Sequence, residues 1–183
     1  MSTRRLLVSA LAVLLAVPSV ARSQAPDPSS ATGLRKELIA QMDDAGQKLI
    51  ALAEAIPAEK YSWRPAAGVR SVSEVFMHMV GANYMFPGLA GVKRQPDVTL
   101  ARDMETTVTD KTRIIGLLRS SFAFAKQGVM DVPDDGMDTA VNLFGSPSTK
   151  RGVLVTSATH AHEHLGQAIA YARMNGIVPP WSR

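Results

Sequence analysis

Residues 153–174 read VLVTSATHAHEHLGQAIAYARM, and Asn175-Gly176 follow. Leu154, Ala161, Leu165, Ala168 and Ala172 recur at spacings of seven, four, three and four, the signature of an amphipathic helix. Asparagine and glycine then end it, because both accept the backbone conformation that closes a helix. Working back along the chain, the same period runs from Leu34 and Leu38 through Met42, Ala45 and Leu49 to Ile56, where Pro57 stops it. Ser71-Val72-Ser73-Glu74 fits a capping box, so a helix is predicted from about Val72 through Phe76, Met79 and Phe86 to about Pro87. A further helix is predicted from about Glu105 to Met130, with Ile114, Leu118, Phe122 and Ala125 on its apolar side. The stretches between, 57–70, 88–103 and 133–152, read as loops, and two of them are long enough to lie over one end. No segment alternates as a strand does, so the expected fold is all-α, a four-helix bundle spanning 34–183.

Composition narrows the chemistry. The 183 residues contain no cysteine, which excludes disulfides, thiolate metal sites, a cysteine nucleophile and a lipobox anchor. Aromatic residues make up 5%, too few for a base-stacking surface. The formal charge is +4, but its basic excess sits at the N-terminus. Arg4 and Arg5 precede an apolar run from Leu6 to Val17 that Pro18 ends. Twelve residues rise only about 18 Å as a helix, short of a bilayer core of about 30 Å. With small residues in Ala21-Arg22-Ser23, residues 1–23 read as a signal peptide cut after Ser23. The paired arginines also bear a loose likeness to a twin-arginine signal. Removing 1–23 takes away Arg4, Arg5 and Arg22 and no acid, leaving 17 basic against 16 acidic residues, a net +1. The expected mature protein is exported, periplasmic or secreted, with no stable membrane insertion and no electrostatic motive for nucleic acid. Residues 24–33 (QAPDPSSATG) read as a flexible lead-in.

The histidines carry the chemical signal. There are four, His78, His160, His162 and His164. His160 and His164 lie one helical turn apart on one face, a spacing that can place two imidazoles on one metal ion. His162 points elsewhere and reads as a solvent or packing residue. On its own helix His78 sits at the edge of the apolar face, with Val75, Ala82, Phe86, Met79 and Val72 about 40° to 120° away. Three imidazoles from two helices suit Zn²⁺, Ni²⁺ or a similar divalent metal and leave positions open for water or substrate. Met77, Met79 and Met85 invite a copper reading, which the spacing opposes: 77 and 79 fall about 100° either side of His78. Glu163 reads as a solvated glutamate beside His160, and Gln167, one turn after His164, as a packing or orienting group.

Several pieces together resemble the DinB-like superfamily, the DinB/YfiT-like metalloenzymes. They are Tyr61-Ser62-Trp63-Arg64-Pro65, Gly68-Val69-Arg70-Ser71, the helix bearing His78, His160 to Gln167 (HAHEHLGQ), and the closing Tyr171 to Pro180 (YARMNGIVPP). The resemblance implies an up-down-down-up four-helix bundle, often a homodimer, with one metal held by His78, His160 and His164. It implies either a metal-dependent hydrolase acting on a small-molecule substrate or a metal-assisted, thiol-dependent S-transferase. A non-catalytic metal or small-ligand binding protein is the remaining alternative. An export signal departs from the family's cytosolic thiol chemistry and favours the hydrolase. Trp63, Arg64 and Tyr171 are expected to line the pocket, with closure of the bundle end as the alternative for Trp63 and Arg64.

Overall fold

The computed structural model describes residues 25–182. The signal peptide expected at 1–23 lies outside the described residues. The chain is mostly helical, with α1 (Gly33–Ala55), α2 (Val72–Leu89), a short α3 (Met104–Thr107), α4 (Lys111–Asp131) and α5 (Lys150–Met174). Among the described residues no helix is long and apolar enough to cross a membrane.

Local chemistry explains the helix starts. At α2 the Glu74 N–H donates to Ser71 Oγ at 3.3 Å, and the Ser71 N–H donates to the Glu74 carboxylate at 2.7 Å. This is the reciprocal capping box, which satisfies two donors that a helix start leaves free. Arg64 holds the other carboxylate oxygen of Glu74 at 2.9 Å, which ties the preceding loop to the same turn. At α5 the Thr149 hydroxyl accepts the Gly152 N–H.

Three expectations differ from what is found. First, the helix expected from Glu105 is broken. Met104–Thr107 make one turn, Val108 is extended, and Asp110 caps a new helix by accepting the Arg113 N–H at 2.7 Å. The β-branched run Thr106-Thr107-Val108-Thr109 is a poor helix interior, whereas Asp110 is a strong N-cap. Second, α2 runs through Pro87 to Leu89. The Pro87 ring packs on Gly128 of α4, where a Cβ would meet Pro87 Cβ and Cγ at 2.7 Å, so interhelical packing holds a turn that local propensity would end. Third, the loop after α4 contains an antiparallel hairpin, β1 (Ala140–Leu143) with β2 (Ser146–Thr149), pairing Leu143 with Ser146 and Ala140 with Thr149. Phe144 and Gly145 form its two-residue turn with φ of 53° and 90°, the signature of a type I′ turn. The Asn142 side chain steadies the turn by accepting the Gly145 N–H at 2.7 Å.

Helices α1 and α2 each pack against both α4 and α5. Side-chain contacts set the directions. Asp43 pairs with Lys126, and Gly46 lies against Phe122, so α1 and α4 run antiparallel. Asn83 bonds Ser121, and Pro87 meets Gly128, so α2 and α4 run parallel. Leu38 shares one core cluster with Leu154, and Leu49 shares the other with Leu165, so α1 and α5 run parallel. The buried apolar residues form two clusters. One is built around Leu49, Phe76, Leu118 and Leu165, the other around Met42, Phe86, Val129 and Leu154. Each fully buried side chain of this size stabilises by about 1.5–3 kcal/mol relative to exposure. On α5 the boundary falls between Ala158 and Ala161, and on α2 between Val80 and Ala82. His160 and His78 sit near that seam.

Candidate metal centre

Helices α2 and α5 cross the seam with three histidines facing one another. One ring nitrogen from each of His78, His160 and His164 lies within 4.8 Å of the other two. The ring centroids stand 4.7 Å apart for His78 and His164, 5.3 Å for His78 and His160, and 4.4 Å for His160 and His164. His164 is buried and the other two are half-buried. The α-helical period sets His160 and His164 on one face, and the antiparallel crossing of α2 brings His78 between them.

The outward nitrogens of the rings have partners. His78 Nδ1 bonds Glu105 Oε2 at 3.1 Å, and Arg70 Nε donates to Glu105 Oε1 at 2.5 Å. His164 Nδ1 bonds Gln167 Oε1 at 2.8 Å, Gln167 Nε2 donates to the Tyr171 hydroxyl at 3.1 Å, and that hydroxyl donates to the Arg70 carbonyl at 3.1 Å. Both relays end on Arg70, one on its guanidinium and one on its backbone. A carboxylate or amide oxygen can only accept, so in these bonds each Nδ1 carries the proton and Nε2 is left as the free lone pair. His160 Nδ1 is 3.7 Å from Glu163 Oε2, a loose contact to a side chain that is 75% exposed.

Burial is the largest cause holding the His160 pKa below the ordinary histidine value, followed by the neighbouring His164 and His78. His164 is also held down, again chiefly by burial, while its bond to Gln167 works the other way. Both rings are therefore neutral at pH 7, the form that donates a lone pair. The donor set fits a divalent transition ion on three counts: three imidazoles, free Nε2 atoms, and outer partners that fix the tautomer and aim of two of them.

The remaining residues singled out in the sequence fall elsewhere. His162 lies on the other side of α5, in a groove against Leu38 and Gln41 of α1. Met77 and Met79 are fully buried in the core, whereas Met85 lines the cavity beside His78. Trp63 packs edge-on against Tyr171 at 5.4 Å, and Arg64 holds Glu74, so both close the bundle end. The sequence reading missed the bonding role of Arg70, and it missed Glu105. Glu105 comes from the single turn of α3, and no local pattern announces a partner 27 residues away.

A cavity of about 450 Å³ opens beside His78 and His160, walled by Ala82, Met85, Phe86, Met104 and Phe144. With His78 and His160 at the inner edge of this apolar cavity, the three imidazoles can hold an ion in reach of a small molecule.

Comparison with known proteins agrees with this architecture. No curated protein matches the chain significantly. Among solved structures, a DinB-like protein from Bacillus cereus ATCC 10987 superposes with a TM-score of 0.67 at 19% identity, covering 79% of this chain and 95% of its own. A DinB-like protein from Bacillus subtilis gives 0.60 at 19%, covering 76% and 92%. A conserved protein from Enterococcus faecalis gives 0.66 at 15%, covering 78% and 97%. At such identities the likeness is one of fold. The profile of the DinB superfamily matches residues 41–168, from within α1 to beyond the third histidine of the site. That span takes in α2, the α3 turn and α5 as far as Ala168, and it makes this chain a member of the DinB superfamily.

Proposed function

We propose that this is an exported metal-dependent hydrolase in which His78, His160 and His164 hold one divalent transition ion, zinc or nickel before others. One observation carries the reading: three ring nitrogens within 4.8 Å at the edge of a cavity of about 450 Å³. The helix directions support the family's up-down-down-up four-helix bundle as the scaffold. When bound, the ion supplies Lewis acidity, the means by which carbonyl and phosphoryl groups are polarised for attack.

The chain's own residues would do the rest. Glu105 orients the His78 ring and keeps its proton on Nδ1. Gln167 does the same for His164, and Tyr171 fixes Gln167 in turn. Arg70 holds both relays from outside, and the apolar wall limits competing water. The opening beside His78 and His160 favours a site that admits substrate over a closed binding site. Export rests on residues 1–23 and a homodimer on family membership; neither is needed for the chemistry.

The test is elemental analysis of protein purified without chelator, beside His164→Ala, followed by assay of the loaded protein on esters, amides, lactones and phosphoesters. About one equivalent of transition metal, lost in the variant, with turnover of one class supports the reading. No metal, and no uptake of Zn²⁺ or Ni²⁺ on titration, overturns it. Metal without turnover, together with a thiol-induced spectral change of the Co²⁺ form, replaces it with the thiol transferase.

A further inference from the structure

The cavity beside the histidines is chemically one-sided. Its polar members, His78, His160, Glu105 and Thr156, belong to the metal centre or to the α5 turn just before it. Its other side is Ala82, Met85, Phe86, Met104 and Phe144. The rings of His160, Phe86 and Phe144 follow one another at 5.6 and 6.2 Å, which gives the cavity a direction, from the imidazoles outward to the hairpin tip. Gly81 shapes the floor: a Cβ there would fall 2.6 Å from Met104 Cε, so glycine lets Met104 lie across α2. Met104 precedes Glu105, so a single turn of chain supplies both the floor and the carboxylate that orients His78.

Phe144 is the unexpected member. It is 66% exposed and has φ 53° at a turn position that favours glycine, asparagine or aspartate. A large apolar side chain there meets neither backbone preference nor burial. What it does contact is the edge of Phe86, at the outer end of the cavity.

We propose that this cavity binds the medium-length alkyl or acyl arm of a small substrate, with the substrate's polar reacting group at His78 and His160 and Phe144 as the outer wall that selects for that arm. The proposal rests on the metal reading for the polar end only; the apolar arm is recognised by the protein itself.

The experiment separates the two. Zinc-loaded protein is titrated calorimetrically with acetohydroxamate and octanohydroxamate, which share a metal-binding head and differ in the tail. Metal-free protein carrying ¹³C-methyl methionine is titrated with 1-octanol and followed by NMR. Octanohydroxamate is expected to bind more tightly by about fourfold for each methylene that enters the cavity. Phe144→Gly, at an exposed turn that accepts glycine, is expected to lose the part of that gain owed to the outermost methylenes, about fourfold for each, while acetohydroxamate binding stays as it was. Octanol is expected to shift the methyls of Met85 and Met104 and to leave those of the buried Met42 and Met77 in place. Equal affinities for the two hydroxamates, or shifts spread evenly over all four methyls, overturn the proposal and leave the metal reading intact. An unchanged chain-length gain in Phe144→Gly overturns the role of Phe144. Selective methyl shifts in a protein that takes up no zinc support the cavity and sink the metal reading.

Discussion

Glu105→Gln is the substitution that tests the outer partners of the site most directly. The carboxylate accepts from His78 Nδ1 at 3.1 Å through one oxygen and from Arg70 Nε at 2.5 Å through the other. Glutamine has the same shape but only one acceptor oxygen. If that oxygen faces His78, the amide nitrogen faces the Arg70 donor. If the amide nitrogen faces His78, the ring must accept at Nδ1 and carry its proton on Nε2, which removes the lone pair a metal needs. The first orientation loses the Arg70 bond, and the second keeps both bonds but loses the tautomer that presents Nε2. Loss of an outer partner typically weakens a metal site about 10–100-fold. Glu105 is 31% exposed, so solvent screening puts the effect near the lower end, about tenfold, or about 1.4 kcal/mol. Glu163→Gln is the internal control. It sits 3.7 Å from His160 with 75% exposure, and its loss should change affinity by no more than about twofold. Competition for Zn²⁺ against a chromophoric chelator at pH 7.5 measures both, with thermal melts of the metal-free variants to confirm folding. Equal weakening in the two variants, or none in Glu105→Gln, refutes the assignment of Glu105 as the orienting group.

Tyr171→Phe removes the hydroxyl that joins Gln167 to the Arg70 carbonyl; about 1 kcal/mol of stability and a severalfold loss of Zn²⁺ affinity are expected, read by urea unfolding and the same competition assay. Gly128→Ala should destabilise by about 1–2 kcal/mol despite the better helix former, because its Cβ meets the Pro87 ring, whereas Gly116→Ala on the open face of α4 should stabilise by up to about 1 kcal/mol; melts showing the same sign for both would contradict the close approach of α2 and α4. In the metal-free protein His160 and His164 have pKa values below the unfolded value of 6.5, so the unfolded chain binds more protons just below that pH. Their contribution is complete above about pH 7 and is lost as pH falls through 6.5 toward the folded values; urea unfolding at pH 7.5 and 5.5 should show a smaller loss for His160→Ala than for the parent.

What the sequence discloses about this site follows the range of the interactions involved. The HxxxH pair and the Ser71–Glu74 capping box are local, and helical periodicity places their members without knowledge of the fold. The edge position of His78 on its apolar face is likewise a periodic property, and it suffices to bring His78 toward α5. Glu105 escapes because its role depends on a break in the helix at Val108–Asp110 and on a contact across 27 residues. Taken as the start of a regular helix, it would have no reason to face His78. The hairpin escapes for a different reason: its strands are four residues each, and Pro147 within the second weakens any strand pattern. Pro87 misleads in the opposite sense, since local chemistry ends a helix there and Gly128 of another helix continues it. Arg70 stands between these cases. It belongs to a recognisable family stretch, but its task, holding both relays, appears only when α3 and α5 are folded against it.

The hairpin bearing Phe144 has a consequence for how this protein could be re-engineered. It leaves α4 and returns to α5 through two backbone bonds at its base, Lys150 N–H to the Thr139 carbonyl and Arg151 N–H to the Met137 carbonyl. None of the three histidines, and neither of their relays, lies within it. The three histidines and the hairpin tip at the outer end of the cavity therefore occupy separable modules. Exchanging residues 140–148 for a hairpin of another length, with the base bonds and the Thr149 cap kept, would transplant a new entrance onto an unaltered histidine cluster.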